Sequence, residues 1–251
     1  MGYLRDQQGI MNRYLRESSN WKTHLEKTRA FVAQSFKTAS RKSNQWESVA
    51  VLGSGWLLDV PLNDLLHDFS TVYLVDIHHP PQVRKKVENR KEVKLIEADL
   101  TGGAIEQVRK FTEKRGAGSL KAFIDSIELL PPLPEIEPSA IASVNLLNQL
   151  DIHICDHLIK KGHSNPELLK GLRKLVQAFH LEWISKHPGC LITDTREIST
   201  DKHGNEKSDS LLFTPLPKGI RGDSWSWDFD SSGRYRPGMR SRMEVQAVEW
   251  S

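Results

Sequence analysis

Residues Val49 to Leu66 read VAVLGSGWLLDVPLNDLL, and this stretch decides how the chain folds. Val49, Ala50, Val51 and Leu52 are apolar without alternation, the pattern of a strand covered on both faces. Gly53 and Gly55 follow, where the backbone can take conformations closed to other residues and a ligand can approach closely. Beyond Asp59 and Pro61, apolar residues at Leu62, Leu65, Leu66 and Phe69 keep helical spacing. The expectation is a buried strand, a glycine turn and a helix whose first N–H groups point beyond the strand.

The same alternation repeats downstream. TVYLVDIHHPP supplies a second strand that ends in Asp76, and Pro80 and Pro81 forbid its continuation. His78 and His79 read as an exposed loop pair. QVRKKVENR is a short charged helix, and EVKLIEADLTGG a third strand ending near Asp99, Leu100 and Thr101. Strand, helix, strand, helix, strand implies a parallel sheet with right-handed crossovers. Ile105 to Lys114 reads as helix, broken from Gly116 to Gly118.

SAIASVNLLNQL carries a fourth strand, Ile141 to Leu147, and ends on Asn148 and Gln149. Asp151 is placed to cap the helix DIHICDHLIKK, which stops at Gly162. Asn165 and Pro166 open a long helix that turns Leu168, Leu169, Leu172, Leu175, Val176, Phe179 and Trp183 to the sheet. CLITDTREI is a further strand, and Ser199 to Ser210 a polar, mobile loop long enough to act as a lid. DSWSWDF and MRSRMEVQAVEW alternate and read as an antiparallel hairpin. At the other end, Asn20 caps a helix with Trp21, Leu25, Phe31 and Val32 on one face, followed by the basic link SFKTASRKSNQ and by Trp46 leading into the first strand. The expected organisation is a helical extension, 1–45, and an α/β domain, 46–251. That domain is a mostly parallel, doubly wound sheet with a C-terminal antiparallel hairpin.

Composition narrows the class. Hydrophobic residues at 38% and charged residues at 27% suit a folded chain with a sizeable core. A net charge of +3 is too small to argue for a nucleic-acid partner. The tail cluster Arg221, Trp225, Trp227, Arg234, Tyr235, Arg236, Arg240 and Arg242 reads as strands with one packed and one solvated face. Cys155 and Cys190 make no disulfide framework and suit a reducing cytoplasm. There is no apolar run of membrane-spanning length and nothing resembling a signal peptide.

The glycine turn, Asp76 and Asp99 all fall at strand ends, where open parallel sheets bind ligands. Asp76 follows the glycines by about 20 residues, where a carboxylate can accept hydrogen bonds from ribose hydroxyls. On VAVLGSG, VYLVDI, VKLIEADL and the terminal hairpin, the chain resembles the class I S-adenosylmethionine-dependent methyltransferases from about Val49 to Trp250. The resemblance implies S-adenosylmethionine as cofactor and a small-molecule or protein methyl acceptor. It implies that Gly53 and Gly55, with Ser54 in the same loop, lie against the methionine part. By the same resemblance Asp76 holds the ribose, Ile77 flanks the adenine, Asp99 and Leu100 meet the adenine edge, and Asn145 faces the transferred methyl. The chain departs from the family pattern at Val51, where an acid is usual, and at Leu57, where a third glycine is common. The fourth strand also lacks an acid or the aromatic motif of amino-group methylation.

No catalytic residue is singled out, since the sulfonium carries the reactivity and the protein aligns the reactants. Walls for the acceptor are expected at Asn145, Asn148, the helix around Trp21 and the segment from Arg196 into the hairpin. Two alternatives stand beside methyl transfer: a non-catalytic domain on the same scaffold, and a nicotinamide-dependent oxidoreductase. The second is disfavoured because Leu58 stands where G-x-G-x-x-G needs its third glycine. His153 and His157 have the spacing of a metal pair, but no third ligand is evident and no metal is expected.

Overall fold

The apolar run at Val49 to Leu52 forms most of strand β1 (Ser48–Leu52), which is covered on both faces. Val49 and Val51 enter one hydrophobic cluster while Ala50 and Leu52 enter another, as successive strand residues must. The structure is a computed structural model that describes residues 3–40, 47–114 and 118–251. Trp46, expected to lead into β1, and Gly116, expected to break a helix, lie outside the described residues.

β1 pairs in parallel with β2 (Thr71–Asp76) on one side and with β4 (Ala140–Val144) on the other. β3 (Val93–Glu97) extends the parallel set beyond β2, and β5 (Gly189–Thr200) extends it beyond β4. The chain then adds β6 (Glu206–Ser210), antiparallel to the outer part of β5. β7 (Arg221–Asp230) and β8 (Arg240–Trp250) form the expected hairpin, with β8 antiparallel to both β5 and β7. The strand order is β3-β2-β1-β4-β5-β8-β7 in one mixed, 8-stranded sheet, parallel over β1 to β5 and antiparallel at its C-terminal edge.

One cluster joins the sheet to α1 (Tyr3–Ser40), α2 (Leu62–Asp68) and α3 (Pro81–Val87). The other joins it to α4 (Ala104–Glu113), the short α5 (Leu120–Asp125), α6 (Ile152–Lys160) and α7 (Pro166–Ile184). Asn165 caps α7 as its sequence requires, its side chain accepting from the N–H groups of Glu167 and Leu168. On the first face, Trp225 and Trp227 of β7 bury against α1.

Several expectations are corrected. Asn20 caps nothing: α1 runs through it from Tyr3, with non-helical dihedrals only at Glu17. The Asn20 amide instead donates to Glu17 Oε2 at 2.8 Å. The basic link is helical as far as Ser40. β4 stops at Val144, so Leu147 lies beyond it. Asp151 sits at the cap of α6 without bonding its N–H groups, because its carboxylate takes Arg173 and Gln177 at 2.8 and 2.7 Å. The stretch from Ser199 to Ser210 is not a loop but the end of β5, a tight turn and β6. Asp201 closes that turn by accepting from the N–H groups of His203 and Asn205 at 2.8 and 2.9 Å.

Candidate functional site

Parallel register brings the ends of β1, β2 and β4 level, beside Ile192 partway along β5. Leu52 pairs with Val75 and Ser143, and Val144 pairs with Ile192. Residues just past those pairs therefore share one edge of the sheet. The chain leaves β1 toward β2 and β3 but places β4 and β5 on the opposite side, so the β1/β4 edge is the switch point where such sheets bind ligands. A cavity of about 400 Å³ opens there, within the roughly 300–1,000 Å³ usual for small-molecule sites.

The glycine turn forms one wall. Gly53 has φ +79° and Gly55 φ +38°, and a Cβ on Gly53 would lie 2.6 Å from the Val144 carbonyl oxygen. Only glycine fits that position. The N–H groups of Gly53 and Ser54 donate to Val75 O at 2.9 and 3.2 Å, and that of Gly55 to Asp76 Oδ2 at 2.8 Å. The helix expected after the turn begins only at Leu62, and none of its residues lines the cavity. The site therefore has no helix N-terminus from α2.

Asp76 is the hub. Its second oxygen, Oδ1, accepts from Gln7 Nε2 at 3.0 Å. Burial pushes the carboxyl up, opposed by the Gly55 N–H. Gln7 also donates to His78 O at 2.8 Å, and the Trp56 indole donates to Gln7 O at 2.8 Å. The start of α1 thus roofs the cavity, with Ile10 and Arg13 further along the same wall.

Ile77, Asp99 and Leu100 line the next part of the wall. Asp99 accepts from the backbone N–H of Thr101 at 2.9 Å and from its hydroxyl. Ser54 also lines the cavity, its hydroxyl 3.1 Å from His79 Nε2. His79 is fully buried, contrary to the expected exposed pair, and burial brings its pKa down to about 4. His78 stays half-exposed, 2.9 Å from Glu97.

Asn145 stands just past β4 with φ +48°, uncommon for a residue other than glycine. Its Nδ2 lies 2.7 Å from Asp59 Oδ2 and 3.1 Å from His24 Nε2. Trp225 donates to His24 Nδ1 at 3.1 Å, and burial brings His24 down to about 3. A neutral imidazole that accepts on Nδ1 carries its proton on Nε2. Two N–H groups cannot share that line, and turning the amide about lets its oxygen accept from His24 and from a protonated Asp59. Burial favours that protonation by pushing Asp59 up to about 6.

The far wall comes from β5, β7 and β8. The β5/β8 register shifts between Asp194 and Arg196, a bulge that turns both Asp194 and Glu197 to the cavity. Arg236 holds Glu197 with two bonds of 2.6 Å. Asp194 Oδ2 accepts from Asn148 Nδ2 at 3.4 Å, while Asp194 Oδ1 and Asn148 Oδ1 have no partner. Burial, with Glu197 and Asp59 adding, pushes Asp194 up to about 7. Trp21, Trp227, Phe229 and Tyr235 make this wall aromatic, and the Arg13 guanidinium lies 4.3 Å over Phe229 and 4.6 Å over Tyr235.

All eight residues expected at a cofactor site border this one cavity. Of the expected acceptor walls, Asn145, Asn148 and Trp21 border it too. Of the segment from Arg196 into the hairpin, Glu197, Leu211, Trp227 and Phe229 border it, whereas Arg196 itself is exposed and bonds Ser208. Residues 200–210 do not line it either, which removes the lid. His153 and His157 diverge, His153 toward Asp6 at 3.5 Å and His157 toward Thr112 at 2.9 Å. Among the described residues no group of three or more His, Cys, Asp or Glu could hold a metal. Sequence reading missed Gln7, Arg13, Asp59 as a site group, and Asp194. The one local signal was an acid inside the apolar strand CLITDT.

No family model matches the chain, and no curated protein does. Among solved structures it is similar to the bifunctional kinase-methyltransferase WbdD at 10% identity, over 91% of this chain and 39% of that one, with TM-score 0.40. The chain therefore spans about two fifths of that protein's length. It is also similar to the Burkholderia thailandensis 1,6-didemethyltoxoflavin-N1-methyltransferase, solved with S-adenosylhomocysteine, at 12% identity over 98% and 90% of the two chains, TM-score 0.35. A third likeness is an S-adenosylmethionine-dependent methyltransferase from Clostridium acetobutylicum, at 9% identity over 95% and 99%, TM-score 0.36. Likenesses this distant leave the functional reading to the chain's own residues.

Proposed function

We propose that the chain is a class I S-adenosylmethionine-dependent methyltransferase whose cofactor occupies this cavity. The observation that carries the reading is the meeting of the glycine turn with Asp76 at the switch point, Gly55 N–H on Asp76 Oδ2 at 2.8 Å. The antiparallel last strand beside a parallel sheet supports it. In this reading the sheet is the doubly wound type of that family, and α1, Tyr3–Ser40, is an added helical cover.

The residues present suit the cofactor. Gly53 and Gly55 border the cavity beside Asp76, whose carboxylate can accept from hydroxyl groups. Gly53, Ser54 and Gly55 would lie along the methionine part, and Asp76 would take the ribose hydroxyls. Ile77, Asp99 and Leu100 would hold the adenine, with Asn145 toward the methyl. Carboxyls at Asp76 and Asp194 give the cavity an acidic lining that favours a sulfonium. The cofactor would supply an activated methyl group. The protein would supply alignment and exclusion of water. Two buried free thiols, Cys155 and Cys190, suit a cytoplasmic setting.

Thermal unfolding with added ligand tests the reading: S-adenosylhomocysteine should raise Tm and NAD should not. The opposite pattern would favour the oxidoreductase. A second reading, a non-catalytic binding domain, is favoured by Gln7, which already occupies Asp76 Oδ1. It predicts S-adenosylhomocysteine binding without turnover of labelled methyl donor on any acceptor extract.

A further inference from the structure

We infer that Asp194 and Asn148 form a subsite for the amino group of an arylalkyl amine, which is the methyl acceptor. The word acceptor rests on the methyl-transfer reading, whereas the amine subsite rests on the far wall of the cavity alone. Asp194 Oδ1 and Asn148 Oδ1 are unpartnered although each residue is only 6% exposed, and both residues border the cavity. Native proteins rarely leave such atoms unpaired, so their arrangement points to a bound donor. The Asn148 N–H2 already faces Asp194 Oδ2, so both free atoms accept. A primary amine carries several N–H bonds on one atom and can serve both oxygens. A hydroxyl has one O–H and can serve only one. A carboxylate has no proton to give at neutral pH, and a carboxylate or phosphate would bring its negative charge against the Asp194 carboxyl.

Charge and shape agree. The acids on this side are Asp194, Asp59 and Glu197, and only Glu197 has an arginine partner. Arg13, on the same lining, is held over Phe229 and Tyr235. Trp21, Trp227, Phe229 and Met243 give the rest of the wall an apolar, largely aromatic surface, suited to a flat ring attached to the amine. The amine binds as an ammonium against the Asp194 carboxylate and reacts once one N–H proton passes to it: the N–H bond breaks, an O–H bond forms, and the nitrogen keeps the electron pair. The amine is then neutral and nucleophilic, and Asp194 is its base.

Calorimetric titration of the full chain, with and without saturating S-adenosylhomocysteine, tests the subsite. The probes are benzylamine, 2-phenylethylamine and tryptamine, each paired with the alcohol of the same shape: benzyl alcohol, 2-phenylethanol and tryptophol. At least one amine should bind about tenfold or more tightly than its alcohol, the usual effect of a charge-assisted bond. Asp194→Asn, close in shape and safe for the fold, should abolish that preference while S-adenosylhomocysteine binds as before. Amines that bind no better than alcohols, or a preference that survives Asp194→Asn, would overturn the inference. Loss of S-adenosylhomocysteine binding in the wild type, with the amine preference intact, would sink methyl transfer and leave the amine subsite standing.

Discussion

Gln7 donates its side-chain N–H to Asp76 Oδ1 at 3.0 Å across 69 residues of sequence, and so joins the start of α1 to the end of β2. A ribose hydroxyl seeking the same oxygen must displace it. Gln7→Ala should therefore tighten S-adenosylhomocysteine binding by about 2- to 10-fold, the worth of one part-buried hydrogen bond of 0.5–1.5 kcal/mol. Weaker binding would instead make Gln7 a ligand contact. Equilibrium titration of the two proteins distinguishes the outcomes.

Asp194 gives the protein a pH-dependent weakness. Its pKa is raised by burial to about 7 in the folded chain, against about 3.9 when unfolded. Between those values the unfolded chain binds fewer protons than the folded one, so stability falls as pH rises through that window. Asp194→Asn should match the wild type near pH 4. Near pH 8 it should be more stable by about 2 kcal/mol, or about 4–8 °C in Tm, after allowing for relaxation around a buried charge. Asp59, also raised, keeps its own pH dependence in the variant. Equal differences in Tm at both pH values would contradict the assignment.

The β5–β6 hairpin should be separable from the site. Asp201→Ala removes the carboxylate that closes its turn, and limited proteolysis should then cut near His203 more readily. No residue from 200 to 210 borders the cavity, so S-adenosylhomocysteine affinity should stay within about twofold of wild type. A tenfold loss would reinstate the hairpin as a cover.

The parts that were legible in the sequence were local in their physics. Val49 to Leu52 had to be a doubly covered strand, and Gly53, Gly55 and Asp76 fell at strand ends by spacing alone. The alternation of Trp225 and Trp227 marked a half-buried strand in the same way. What escaped depended on distant partners. Gln7 and His24 lie on a helix whose apolar spacing says nothing of the strand ends it meets. Asp194 and Glu197 share a face only because a bulge between them shifts the register, and no turn residue announces it. His79 looked like half of an exposed pair until Ser54 came within 3.1 Å of it. The polar run 200–210 looked mobile because Asp201 closes a turn with bonds that composition cannot show.

The central claim is that Asp76 and the glycine turn hold the cofactor's ribose and methionine parts, and one calorimetric comparison tests it most directly. S-adenosylhomocysteine is titrated into the wild type and into Asp76→Ala, with far-UV circular dichroism confirming that both are folded. The wild type should bind one molecule per chain. Asp76→Ala should lose more than about tenfold in affinity, the roughly 1.5–3 kcal/mol of hydrogen bonds to a charged group. A folded wild type that releases no heat, or a variant that binds as tightly as the wild type, would contradict the account.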